Sequence, residues 1–151
     1  MDIEEQYDKI FRFCYYRVHN TDTAQDLTQE TFLRFMNSSY EERGEQLRFL
    51  YTIARNLCID ESRKAQMEEL PEDYSDEGDG AEDLIRRMDV NAALDKMPEE
   101  DRELLILRYM NEVPLSDICK IMGISRFALY RKLNSVKRDF IKLMEGGNLH
   151  E

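Results

Sequence analysis

The sequence predicts an all-α protein. Two small helical domains are joined by a flexible acidic linker, and the C-terminal domain ends in a helix-turn-helix. Three observations predict this. Apolar side chains recur at three- and four-residue steps through most of the chain, the period of helices with one buried face. The alternation of a strand and the turn pairs of a β-hairpin are missing from the sequence. The helical pattern stops over residues 67–83, where Pro71, Gly78 and Gly80 sit among dense acids. Low hydrophobicity with like charge does not offset the entropy of ordering, so this stretch reads as a tether. The 151 residues suffice for one ordinary domain or two small ones.

Residues 3–18 form the first predicted helix, with Ile3, Tyr7, Ile10, Phe11, Cys14 and Val18 on one stripe. His19, Asn20 and Thr21 break it. Asp22 and Gln25 have the spacing of a capping box and open a second helix that runs through Met36. Ala24, Leu27, Thr31 and Phe35 form its inner stripe, widened by Phe32 and Met36, while Asp26, Gln29, Glu30 and Arg34 face outward. Residues 37–45 are a polar loop. A third helix over 46–66 has an apolar side of Leu47, Leu50, Ala54, Leu57 and Cys58. Its other side mixes aromatic, basic and polar residues: Phe49, Tyr51, Thr52, Arg55, Asn56, Asp60, Arg63 and Lys64.

Beyond the tether, a helix over 82–96 turns Ile85, Met88 and Ala92 inward, with Val90 and Leu94 as further candidates. Pro98 suits the first turn of the next helix, and Glu99, Glu100 and Asp101 suit its positive end. Leu104 to Leu107 make a buried run. A short periodic segment over 115–122 then meets Gly123, which can supply the positive φ of a sharp turn. Ser125 is a good N-cap for the last helix, whose Leu129, Leu133, Val136 and Phe140 share one face. Gly146-Gly147 ends it. Helix, glycine turn and capped helix together are the sequence form of a helix-turn-helix.

The formal charge of −11 would ordinarily argue against nucleic acid. Its distribution removes much of that objection. Nine acids and no base lie within 66–85, and the rest of the chain holds 23 acids against 21 bases. Residues 120–142 carry seven Lys or Arg against one acid, Asp139. Such a helix suits phosphate. Helix pairs around a glycine also occur in bundles that never touch DNA, and basic faces are usually just solvated, so the pattern alone leaves both readings open. Cys14, Cys58 and Cys119 lie far apart with two histidines in the chain, which gives no zinc spacing and suits buried thiols in a reducing cytosol. No cofactor or metal is expected. No signal design opens the chain and no apolar run spans a bilayer, so the expected place is the cytoplasm, without membrane insertion.

Taken together, the motifs resemble those of an extracytoplasmic-function (ECF) type sigma factor of the sigma-70 family. The resemblance covers about residues 5–144. Ala24-Gln25-Asp26-Leu27-Thr28-Gln29-Glu30-Thr31-Phe32-Leu33-Arg34 is similar to the family's polymerase-binding helix. Phe49-Leu50-Tyr51-Thr52-Ile53-Ala54-Arg55-Asn56-Leu57, with Ile59-Asp60 and Arg63-Lys64, looks like its promoter-melting helix. Met97-Pro98-Glu99-Glu100-Asp101-Arg102-Glu103, Leu107-Arg108-Tyr109, Ile118, Gly123-Ile124-Ser125 and Leu133 match its second domain.

The resemblance implies a region 2 domain over 1–66, the acidic linker over 67–83 and a region 4 domain over 84–151. Asp26, Gln29 and Glu30 would dock on the β′ clamp helices of core RNA polymerase, and the β flap is a second implied contact. Phe49, Tyr51, Arg55, Asn56, Asp60, Arg63 and Lys64 would serve the −10 element, where rings stack on unpaired bases and cations meet phosphate. Phe49 stands where the family often has Trp, and it serves either core or DNA. Asn56 and Asp60 either bond base edges or cap local structure. At the −35 element, Arg126, Phe127, Tyr130 and Arg131 are base-edge candidates, and Ser125 and Lys132 phosphate candidates, with Lys137 and Arg138 further along. Arg126-Phe127 and Pro114 depart from the family pattern, so its −35 preference does not transfer. The implied linker path is a polymerase channel that normally holds nucleic acid. An anti-sigma partner is a family expectation.

Three other readings compete. A stand-alone helix-turn-helix regulator would need a dimerisation surface, and no spare helix offers one. A pure interaction protein would use the helices only as partner surfaces. An enzyme would need a nucleophile-base pair, a metal spacing or a glycine-rich phosphate loop, and the sequence holds none of these.

Overall fold

The computed structural model describes residues 2–38, 45–68 and 89–146. The chain divides into two compact units, Met1–Ser75 and Asp76–Glu151. Every regular element among the described residues is helical. Of the expected tether over 67–83, Met67 and Glu68 still belong to the third helix, while residues 69–83, the loop tip over 39–44 and the start of the fourth helix, with Ile85 and Met88, lie outside the described residues. No described helix is long and apolar enough to cross a membrane.

The first unit packs α1 (Ile3–Val18), α2 (Thr21–Met36) and α3 (Gln46–Glu68) against one another. Asp2 caps α1 by accepting from the Glu5 amide at 2.9 Å. His19 ends it in the left-handed region, with its amide bonded to the Tyr15 carbonyl. Asn20, not Asp22, then caps α2, accepting from the Thr23 amide at 2.8 Å. The expected capping box fails because the left-handed turn at His19 already brings Asn20 to the helix start, which leaves Asp22 in the first turn.

The core joins Ile10, Phe13 and Cys14 of α1 to Ala24, Leu27 and two threonines of α2, and to Leu50, Tyr51, Ala54, Leu57 and Cys58 of α3. Thr28 and Thr31 are fully buried and donate to the carbonyls of Ala24 and Leu27 at 2.7 Å, which offsets the cost of taking their hydroxyls out of water. The buried face of α1 is Gln6, Ile10, Phe13, Cys14 and Arg17, rotated from the stripe read in the sequence. Ile3 is exposed, because it lies at the helix end beyond the reach of its neighbours. Gln6 is buried and accepts from the Gln46 side-chain amide at 3.0 Å, a polar tie from α1 to the start of α3. Cys14 and Cys58 meet in this core. A hydrogen bond with the Cys58 thiol, aided by the Arg17 cation, holds the Cys14 thiol below its ordinary value although burial pushes it up. Cys119, in the second unit, is half-buried rather than buried.

In the second unit, helical residues 89–95 (α4) bury Asn91, Ala93 and Leu94, while Ala92, expected inside, is exposed. Pro98 takes the N-cap position of α5 (Glu99–Leu105), whose first turn holds Glu99, Glu100 and Asp101 at its positive end. The helix then widens into a π-turn, Ile106–Met110, closed by the Asn111 amide on the Ile106 carbonyl at 2.9 Å. Leu104 to Leu107 are all buried, as their run implies. After Glu112 at φ 52°, Pro114 leads into α6 (Leu115–Met122). Gly123 sits at φ 69°, and the Gly123 and Ile124 amides both reach the Cys119 carbonyl. Ser125 caps α7 (Arg126–Met144) by accepting from the Ala128 amide at 3.1 Å. The helix-turn-helix is therefore fixed by local chemistry. Glycine takes the left-handed turn without Cβ strain, and the serine satisfies an orphan amide of the helix that follows.

Candidate polymerase and nucleic-acid interfaces

On α2, each buried residue fixes what faces out. With Ala24, Leu27, Thr28 and Thr31 inward, Asp26 and Gln29 are exposed on the opposite side. Glu30 lies beside them, half-buried, and accepts from the Arg34 guanidinium at 3.0 Å. The structure adds what charge and spacing did not disclose. Leu33 is 54% exposed and Met36 73% exposed, on the flank of the same face. Met36, expected to widen the inner stripe, points to solvent because α2 outruns the core there. The face thus combines acidic and polar groups with two exposed apolar side chains.

The candidate −10 residues do not stay together. Tyr51 is 1% exposed, with its ring edge-on to Phe13 at 5.8 Å. It is a core residue rather than a DNA contact, because the helix position that flanks Leu50 faces α1. Phe49 is half-buried and packs on Phe35 with ring centroids 5.8 Å apart. Arg55 is half-buried and already has an interaction partner. Asn56, Asp60, Arg63 and Lys64 are exposed and, at steps of three and four, share one side of α3. This strip offers an amide, a carboxylate and two cations, but its stacking rings are limited to what Phe49 leaves uncovered.

On α7, Leu129 and Val136 are buried, with Leu133 and Phe140 half-buried at the edges of the stripe. That orientation sends Arg126, Phe127, Tyr130 and Arg131 outward together. Phe127 is 78% exposed, and the Arg131 guanidinium lies over its ring at 5.9 Å from the centroid. Asn134 continues this face, followed by Lys137 and Arg138, and all three are exposed. The sequence reading passed over Asn134, although its position one turn beyond Tyr130 and Arg131 would have indicated it. Asp139 falls on the far side of the helix, so the outward face holds no acid. Ser125 is exposed, with its hydroxyl engaged in the cap. Lys132 does not belong to this face. Its ammonium contacts Glu100 at 2.9 Å and Asp101 at 3.5 Å, which pins α7 to the start of α5. The charge count placed it near DNA, whereas its angle around the helix places it against those acids.

An apolar groove of about 250 Å³ lies further along α7, lined by Leu105, Tyr109, Met110, Lys137, Phe140 and Ile141. The π-turn shapes one wall, because it carries Tyr109 and Met110.

Two family models match this chain: sigma-70 region 2 over residues 3–68 and sigma-70 region 4 over residues 87–136. The ECF RNA polymerase sigma factor SigW of Bacillus subtilis is 31% identical over 147 residues, covering 82% of this chain and 76% of SigW. BldN of Streptomyces coelicolor, another ECF RNA polymerase sigma factor, is 30% identical, with 89% of this chain and 57% of BldN covered. The RNA polymerase sigma factor YlaC of B. subtilis is 27% identical across 93% of this chain and 91% of its own. Among solved structures, the sigma factor RpoE of Bartonella quintana, crystallised with the anti-sigma factor NepR, has a TM-score of 0.79 at 19% identity. It covers 95% of this chain and 94% of RpoE, a likeness of fold. With both sigma regions matched in order on two helical units, the chain belongs to the ECF class of the sigma-70 family and is a sigma factor that directs RNA polymerase to promoters.

Proposed function

We propose that the two units divide the promoter between them. The face of α2 bearing Asp26, Gln29 and Glu30, extended by Leu33 and Met36, docks on the β′ clamp helices of core polymerase. Carboxylates there can take charge-assisted hydrogen bonds, and the bare apolar pair can be desolvated on contact. The strip Asn56, Asp60, Arg63 and Lys64 on α3, with the exposed edge of Phe49, holds the opened −10 strand. The α7 helix lies in the major groove of the −35 element, with Arg126, Phe127, Tyr130, Arg131 and Asn134 nearest the bases and Lys137 and Arg138 at the backbone. The apolar groove beside Tyr109 and Ile141 receives the β flap. An anti-sigma factor is a further proposed partner, because RpoE, which shares the fold, was crystallised with one. The chain works in the cytoplasm, beside polymerase and chromosome, as an initiation factor rather than a catalyst.

The observation that carries this reading is the outward face of α7: five polar or aromatic side chains and two further cations, with no acid among them. The test is transcription by core polymerase reconstituted with the chain on supercoiled promoter DNA. Specific transcripts are expected from the wild type. Asp26→Arg should abolish core binding with helix content unchanged, and Leu33→Asp should weaken it. Tight duplex binding by the free chain without any affinity for core polymerase would overturn the reading.

A further inference from the structure

The α7 face carries one feature that a phosphate-binding helix does not require. Phe127 is the second residue of the helix and is 78% exposed. A benzyl side chain left in water gives up about 1.5–3 kcal/mol of burial. One turn later, Arg131 lays its guanidinium over that ring, 5.9 Å from the centroid. A cation–π contact at that distance draws on the charge and leaves the guanidinium its fork of N–H donors, which matches two acceptors at once. Arg126 and Tyr130 flank the pair on the same face, and the Ser125 cap fixes the helix start from which both project.

In the major groove, guanine presents N7 and O6 as two adjacent acceptors, and thymine presents its 5-methyl group. On neighbouring base pairs these features stand side by side, as the ring and the guanidinium stand side by side here. We propose that Phe127 and Arg131 act as one reading unit for a thymine adjacent to a guanine in the −35 duplex. Arg131 takes the guanine edge. Phe127 touches the thymine methyl and positions Arg131 through the cation–π contact, so the discrimination at the two bases is coupled. The inference rests on the placement of α7 at the −35 element proposed above.

The experiment uses the full chain with core polymerase and a promoter library randomised across the −35 element, each variant linked to a barcode in the transcribed region and read by sequencing the transcripts. The wild type should enrich an adjacent T and G. Arg131→Ala should lose the guanine preference by about tenfold, the scale of a bidentate contact. Phe127→Ala should lose the thymine preference and also weaken the guanine preference two- to fivefold, roughly the value of the stacked cation. Phe127→Tyr, which keeps the ring, should restore the guanine preference. Replacing the selected thymine by deoxyuracil removes only the methyl, and should cost the wild type about fourfold and the Phe127→Ala variant nothing. Because Phe127 is exposed, helix content and thermal midpoint should not move. Independent effects of the two substitutions, an equal loss on every sequence, or enrichment without adjacent T and G would each overturn the coupled reader. A wild-type library with no −35 preference at all would instead overturn the placement of α7.

Discussion

Lys132 separates the geometry of α7 from its charge count. By composition it is one of the cations of a basic helix, and removing it should weaken DNA binding. By structure its ammonium is 2.9 Å from Glu100 and 3.5 Å from Asp101, with side-chain exposures of 34%, 53% and 18%. Each contact is worth roughly 1 kcal/mol in a water-like dielectric. The exposure of all three groups and the entropy of holding a long side chain bring the pair to about 1 kcal/mol in total. Lys132→Met, which keeps the stem and removes the charge, should therefore cost the second unit about 1 kcal/mol, a fall of about 4–8 °C in its thermal transition. The salt dependence of promoter binding should not change. Arg138→Met should do the reverse. Arg138 is exposed two turns beyond Arg131 on the open face, so its loss should leave the transition in place and reduce the slope of log K against log salt by about 0.9, one phosphate contact. The assay is calorimetry of the free chain together with a salt titration of promoter binding by the reconstituted polymerase. A reduced slope for Lys132→Met, with an unmoved transition, would refute the assignment.

Two further outcomes follow from burial and backbone. Tyr51→Ala should destabilise the first unit by about 3–5 kcal/mol in urea titration, since it empties a fully covered site against Phe13. Asn56→Ala, on the exposed strip, should leave stability intact and slow promoter opening; a stable Tyr51→Ala defective only in opening would return Tyr51 to the DNA. Gly123→Ala should cost about 1 kcal/mol from left-handed backbone strain alone, because an added Cβ meets nothing within 4 Å. A loss of several kcal/mol would mean that the turn is also tightly packed.

The sequence disclosed those parts of the fold that local chemistry decides. Gly123 and Ser125 needed no knowledge of the rest of the chain, because a left-handed C-cap and a hydroxyl N-cap are short-range devices. The α7 stripe was legible because its inward residues keep one helical spacing, and Leu129 and Val136 are almost fully covered. The stripe of α1 was less legible. That helix touches both α2 and α3, so its buried arc is wider than a single stripe and takes in Phe13, Gln6 and Arg17. Tyr51 was misread for the same reason: next to Leu50 on a helix with two neighbours, it faces a second buried side. The π-turn at Ile106–Met110 had no recognised sequence signal. It inserts one residue per turn, and so it turns Tyr109 outward while Leu104 to Leu107 stay inside.

The acidity of the chain and the basic face of α7 act on different steps. Four cations, Arg126, Arg131, Lys137 and Arg138, stand on the open side of α7, and its acid Asp139 is turned away. Two of them, Lys137 and Arg138, are placed at the backbone, and two phosphate contacts would give a salt slope of only about −1.8, which marks modest binding. The net charge of −11 opposes even that at long range. A chain so built holds promoter DNA poorly by itself and gains from being tied to something already on the DNA. The proposed docking through α2 would supply this, since a second contact made from a fixed first one is governed by effective concentration rather than by its own affinity. The weak face on α7 is therefore an asset. It would let the base contacts proposed for the start of the helix, rather than bulk charge, decide which promoters the assembled polymerase keeps.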